Sequence, residues 1–263
     1  MRRFAVRWMA AGLVATAAHA GVVVEMEVRT PDSPDAVGSE RFYAEGEMVR
    51  MDPHRARGGG EMSAIFRDQT LWFVDHDKKQ CQKIDREGVE QLSARLDQMM
   101  KQFEQMPPEQ RAMMEKMMQG KMPGVSAPPS RRIDSGGTEQ IGEYTCEVHT
   151  LYSDEKKVWE VCAADESVAA DVIEAMDAFR AMSRFTESLQ RVVRDSAFVG
   201  MIDTPYTEMD DLGFPVRVRT FDDKERLVSE TTLASINRRE IDAAVFEVPP
   251  GYKVKDLKDQ LGK

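Results

Sequence analysis

The chain has 263 residues, 41% hydrophobic and 31% charged, which is enough apolar matter for a sizeable core and too much for wholesale disorder. Its formal charge is −10, and the first 20 residues hold three Arg and no acid, leaving 33 basic against 46 acidic residues, or −13, in the remainder. That balance excludes a general attraction to nucleic acid or to anionic lipid headgroups.

Arg2, Arg3 and Arg7 lead into an apolar, small-residue run from Trp8 to Ala18, and Ala18-His-Ala20 is an A-x-A cleavage site. This is the pattern of a secretory signal peptide over residues 1–20. The run falls short of the ~20 residues that span a bilayer. Gly21, and no Cys, follows the cleavage site, so a lipoprotein is not expected. The expected product is a soluble chain from Gly21, exported to the periplasm.

Val22 to Val28 reads as a strand. Phe42-Tyr-Ala44 and Met48 to Met51 flank Glu45-Gly-Glu47, and Met62 to Phe66 and Thr70 to Val74 flank Arg67-Asp-Gln69, which predicts two hairpins. Gln80 to Ile84 is a further short strand. Consecutive hairpins predict an antiparallel meander. The period then changes. Val89, Leu92, Leu96, Met99, Phe103 and Met106 recur every three or four residues, which predicts an amphipathic helix of roughly five turns. Pro107-Pro108 interrupts it. A short Met-rich helix follows over 109–119, then a Gly-, Pro- and Ser-rich loop over 120–130. The Met-rich helical and loop insert as a whole occupies about 99–130.

Strands resume near Thr138. Cys146 and Cys162 lie in two strands around a polar turn at Ser153 to Lys156. A turn centred on Asp154 sets them opposite one another, and an oxidising compartment permits a disulfide between them. Asp165 or Ser167 caps a second long helix with a buried stripe of Val168, Val172, Met176, Phe179, Met182, Leu189 and Val192. Gly200 to Asp211 reads as a loop. Phe214 to Phe221 and Arg226 to Ile236 predict another hairpin. Val245 to Val248 is the last predicted strand, stopped by Pro249-Pro-Gly251, and a polar tail runs from Val254.

Methionine is the compositional anomaly, with 18 in the chain. Met99, Met100, Met106, Met113, Met114, Met117, Met118 and Met122 crowd into one segment. Thioether clusters suit Cu(I), and reversible sulfoxide formation is a further use. Met is also a flexible packing residue that covers irregular apolar surface, and no His or Cys joins the cluster. His54, His76 and His149 remain after cleavage. Asp75, His76 and Cys81 form a ligand-like trio in what reads as a solvated turn, and His149 is expected to point outward. Gly58-Gly-Gly60 reads as a flexible connection, and Cys81 as an unpaired strand residue. No H-E-x-x-H, G-x-S-x-G or Walker-type loop occurs. No catalytic residue, metal ligand or cofactor is assigned, and no enzyme is expected.

The order of Phe42-Tyr-Ala-Glu-Gly-Glu-Met-Val-Arg-Met51, Ala64 to Asp77 and Phe246-Glu-Val-Pro-Pro-Gly-Tyr252 resembles the half-barrel of periplasmic lipoprotein- and lipid-carrier proteins of the LolA and LppX type. Ile141-Gly-Glu-Tyr-Thr-Cys146, Val161-Cys-Ala-Ala-Asp165 and the Pro107 to Met114 stretch more closely resemble an uncharacterised family of exported bacterial proteins related to that fold. The resemblance implies an α+β domain over 21–263, a strongly curved antiparallel β-sheet packed around two long amphipathic helices. It implies a periplasmic binding or carrier protein for an apolar ligand (an acyl chain, a lipid or a lipoprotein lipid). Candidate cavity residues are Phe66, Leu71, Phe73, Val216, Val218 and Leu233 on the sheet, gated by Leu92, Leu96, Met99 and Phe103. Two alternatives stand beside this. One is a Met-rich copper-binding or envelope-stress protein. The other is an envelope interaction protein with no small ligand. Neither nucleic acid nor a membrane span is expected.

Overall fold

The computed structural model describes residues 20–53, 61–111, 130–165, 173–193 and 212–256. One curved, unclosed sheet dominates them. Its strands are β1 (Gly21–Thr30), β2 (Ser33–Glu45), β3 (Met48–Asp52), β4 (Met62–Arg67), β5 (Thr70–Asp75), β6 (Gln80–Asp85), β7 (Arg131–Ile141), β8 (Tyr144–Ser153), β9 (Lys156–Ala164), β10 (Phe214–Phe221), β11 (Leu227–Arg239) and β12 (Lys253–Asp256). They lie in the order β12-β6-β5-β4-β3-β2-β1-β11-β10-β9-β8-β7. Every pairing is antiparallel except that of β12 with β6. Register shifts interrupt β1 against β11, β10 against both neighbours, and the ladders either side of β8. Each adds twist and bends its strand, which is how one sheet curves over so many strands.

Tight turns set the early hairpins. Gly46 takes φ 58°, and Asp68-Gln69 and Asp154-Glu155 both hold φ between 49° and 64°, the two-residue geometry whose twist matches paired strands. Gly21 is forced by packing: a Cβ there would come within 2.5 Å of Ile241 and 2.7 Å of the Ala44 carbonyl.

Two helices are described, α1 (Arg86–Glu104) and α2 (Ile173–Val193). Asp85 caps α1, its carboxylate accepting from Gly88 N at 2.9 Å. Helical backbone resumes at 108–111 after the Pro pair. The sheet does not wrap around two long helices as expected. Only α2 lies across it, over β1, β2 and β3, while α1 meets it beside β6 and otherwise rests on α2. No described helix is long and apolar enough to cross a membrane.

Other expectations need correction. Residues 243–246 form a 3-10 turn instead of a strand, capped by Asp242 on Ala244 N at 2.9 Å. Pro249 and Pro250 remove the donors a ladder would need. Strand β7 begins at Arg131, seven residues before Thr138. It is exposed along almost its whole length, so no apolar alternation betrays it. Residues 254–256, expected to begin a polar tail, belong to β12. The second-helix cap at Asp165 or Ser167, most of the Met-rich insert, Gly58–Gly60 and the loop over 200–211 lie wholly or mostly outside the described residues.

Candidate ligand-binding face

Alternation along β1 to β6 sorts side chains to two faces. Val22, Val24, Met26, Phe42, Ala44, Val49, Ala64, Phe66, Leu71, Phe73 and Ile84 are buried in one cluster with Met176, Ala178, Met182 and Phe185 of α2. Val23, Ile65, Val74 and Cys81, from the other face of the same strands, form a second cluster with Ile241 and Phe246. The sheet is thus covered on both sides, by α2 on its inner face and by the C-terminal segment on its outer face. Phe42 meets Phe179 edge-on at 5.6 Å, and Phe66 meets Phe185 at 5.5 Å. Met176 and Met182 supply adaptable contact over the same surface.

The candidate cavity residues divide. Phe66, Leu71, Phe73 and Val216 are buried in the inner cluster, and Leu233 packs partly buried against it. Phe103 is buried at the end of α1, 5.9 Å from the Arg111 guanidinium. Leu92, Leu96 and Met99 lie on α1, with side chains outside the described set. Val218 belongs to a third cluster with Leu151, Trp159, Val161 and Ala163. The cause is the bulge at Val216, between Pro215 and Arg217. It breaks the alternation that otherwise sends Val216 and Val218 to one face.

The disulfide joins Cys146 to Cys162, but the two are not opposed. Cys146 stands opposite Ala164, and Cys162 opposite Val148. The turn is centred between Asp154 and Glu155, and a bulge at Val158 moves the register once more. The bridge is therefore diagonal, with Cα atoms 5.3 Å apart, inside the usual span. His149, expected to point outward, is buried, with Nδ1 3.3 Å from the Ser135 hydroxyl.

The trio Asp75, His76 and Cys81 does not form. Asp75 pairs with Lys78 at 2.7 Å. Cys81 is buried in the outer cluster, where burial pushes its thiol pKa up. No group of His, Cys, Asp or Glu suited to a metal ion occurs among the described residues. His76 instead joins a network the sequence did not announce. Ser63, only 1% exposed, donates to Asp52 at 2.7 Å and lies 2.7 Å from His76 Nε2. Arg50 reaches Ser63, Asp52 and the Val245 carbonyl. Because Ser63 donates to Asp52, His76 Nε2 must donate to Ser63 Oγ, and Nδ1 lies 3.1 Å from the Tyr252 hydroxyl. A serine that accepts from the imidazole is not arranged as a Ser–His nucleophile–base pair. One signal was available: Ser63 is the polar residue in the apolar run Met62 to Phe66. A polar cleft of about 410 Å³, lined by Ser39, Arg41, Asp52, Pro53, Glu61, Met62 and Ser63, opens beside it.

A second charged network ties β7, β9, β10 and β11. Arg217, 7% exposed, pairs with Glu139 at 2.6 Å and Glu160 at 3.5 Å, and Arg219 pairs with Glu160 at 2.8 Å and Glu230 at 2.6 Å. Arg217 holds the Glu139 carboxyl below its ordinary pKa. At Glu160 burial acts upward, but Lys157 and Arg219 outweigh it and the value is lowered.

A family model described as a domain of unknown function, DUF4412, matches residues 101–252. The chain belongs to the DUF4412 family. No curated protein matches its sequence. Among solved structures, this DUF4412 protein is similar to an uncharacterised conserved protein from Thermus thermophilus, at 8% identity and TM-score 0.45, covering 90% of this chain and 91% of that one. It is similar to a Pseudomonas aeruginosa MucA/MucB complex chain at 8% identity and TM-score 0.37, covering 90% and 59%. A LolA superfamily protein from Nitrosomonas europaea shows 8% identity and TM-score 0.25, with 87% and 89% covered.

Proposed function

We propose that this DUF4412 protein is an exported, periplasmic binding or carrier protein that holds an acyl chain or lipid against the inner face of β1 to β6, without catalysis. The observation that carries the reading is the make-up of that face. A continuous apolar surface, with Phe66, Leu71 and Phe73 at its centre, meets the Met and Phe side chains of α2. The Met side chains among them re-form around a different occupant more readily than branched side chains do. In this reading α1 is the gate, since its main contact with the sheet is beside β6 and it can leave without breaking a strand pair. Affinity comes from apolar area removed from water, at about 25 cal/mol per Å² before ordering costs. The leader-like first 20 residues support export.

The test is native mass spectrometry of protein purified from the periplasm without detergent, beside a denatured spectrum, with titration of a fluorescent fatty acid. A lipid-sized mass that leaves on denaturation, or saturable fatty-acid binding, supports the reading. A bare mass together with no saturable binding overturns it.

A further inference from the structure

The sheet has two edges, and they differ. The β12 edge is four residues long and presents Lys253 and Lys255, the short, lysine-bearing form that discourages pairing. The β7 edge is 11 residues long, with ten of them exposed, and contains neither Lys nor Pro. Among the described residues no strand pairs with its outer side. A long exposed edge is a template for another strand.

We infer that β7 pairs antiparallel with β7 of a second copy of this chain, about a two-fold axis between Ser135 and Gly136, extending the sheet across a dimer. The charge order of the strand selects this occupant. Basic Arg131 and Arg132 stand at one end and Glu139 near the other, so an antiparallel copy sets opposite charges face to face. Register must also agree with the faces. The bulge at Gly136-Gly137 puts Ser135 opposite His149 and Thr138 opposite Glu147. His149 and Glu147 share a face of β8, so residues 131, 133 and 135 share a face with 138 and 140, and 132 and 134 share one with 139. Without the bulge, Arg132 and Glu139 would lie on opposite faces. With it, one register aligns Arg132 with Glu139 and Ile133 with Thr138, each twice, on matching faces. Ile133 is 41% exposed and gains cover from Thr138, since directly opposed side chains on one face are in contact. Sliding by two residues sets Asp134 against Glu139, like charges opposed twice, which disfavours that register.

The test is sedimentation velocity on the exported chain over a concentration series, with hydrogen exchange of the same samples. A dimer forming by about 100 µM is expected, with amides of 131–141 exchanging more slowly as it forms. Arg132→Glu, which faces Glu139 of the other copy, and separately Ile133→Lys should each weaken the dimer about tenfold or more. Unchanged melting shows that the variants fold. A monomer throughout, which includes the case of an edge reserved for a foreign strand, overturns the inference. So does a dimer whose formation leaves exchange over 131–141 unaltered, an outcome that needs no variant.

Discussion

Ser63 holds the outer network together, because its single hydroxyl serves Asp52, Arg50 and His76 at once. Ser63→Ala leaves those partners part-buried and short of a hydrogen bond, an unsatisfied state that costs about 1–3 kcal/mol. Urea unfolding of this variant should show that loss, and an unchanged midpoint would mean that water replaces the hydroxyl. The sequence exposes Ser63 as a polar residue in an apolar run, but its partners come from β3 and the β5–β6 turn, and theirs from the C-terminal segment, which only the fold brings together. Glu160 makes a separate prediction through pH. Its folded pKa lies below the ordinary glutamate value, so its ion pairs contribute fully above that ordinary value and are lost as pH falls through the lowered one. The stability that Glu160 supplies should therefore be lost on the acid side. Glu160→Gln should be less stable than the parent at neutral pH and should flatten the acid limb of a melting-temperature profile. An acid limb of unchanged steepness would place the titration elsewhere.

Turn chemistry makes the early hairpins legible. Gly46 sits where φ must be positive, and Asp68-Gln69 fills a two-residue turn between apolar strands. Gln69 holds φ 53° without being glycine, a conformation that costs an L-residue roughly 1–2 kcal/mol. Gln69→Gly should therefore raise stability by about 0.5–1 kcal/mol after loss of the exposed contact from Arg86 and the added freedom of the unfolded chain. Thermal unfolding measures it, and a lower midpoint would show that the Arg86 contact outweighs the backbone. Elements were hidden where packing, not local pattern, makes them. Strand β7 has no buried face to imprint a period, the turn at 243–246 is imposed by Phe246 seeking the outer cluster, and Val218 changes face through a bulge that leaves no mark in composition. The inner-face residues of β4 and β5 were readable as an alternating set, yet which member of the alternation met a helix depended on where α2 lies.

Across the whole molecule, the C-terminal segment closes what the meander leaves open. The chain leaves β11 beside Gly21, crosses the outer face through Ile241, Phe246 and Tyr252, and enters β12 on β6, with Val254 opposite Cys81. Arg50 and Arg67 hold its carbonyls at Val245 and Phe246. The "F-x-V-P-x-G-Y" stretch, read from sequence as a closing strand, is thus the strap that buries the outer cluster. Phe246 is 1% exposed, and Phe246→Ala should cost about 3–5 kcal/mol as a large core deletion. The location of that loss is also measurable. Cys81 lies under the strap and is shut off from solvent at 2% exposure, and its raised thiol pKa slows it further. In the parent protein a thiol reagent should react with Cys81 only on global unfolding, with Cys146 and Cys162 protected in their bridge. In Phe246→Ala, reaction should run well ahead of unfolding followed by far-UV circular dichroism, because the strap loosens while the other strand ladders stay paired. Reaction at the rate of global unfolding would instead mean that strap and sheet open together as one cooperative unit.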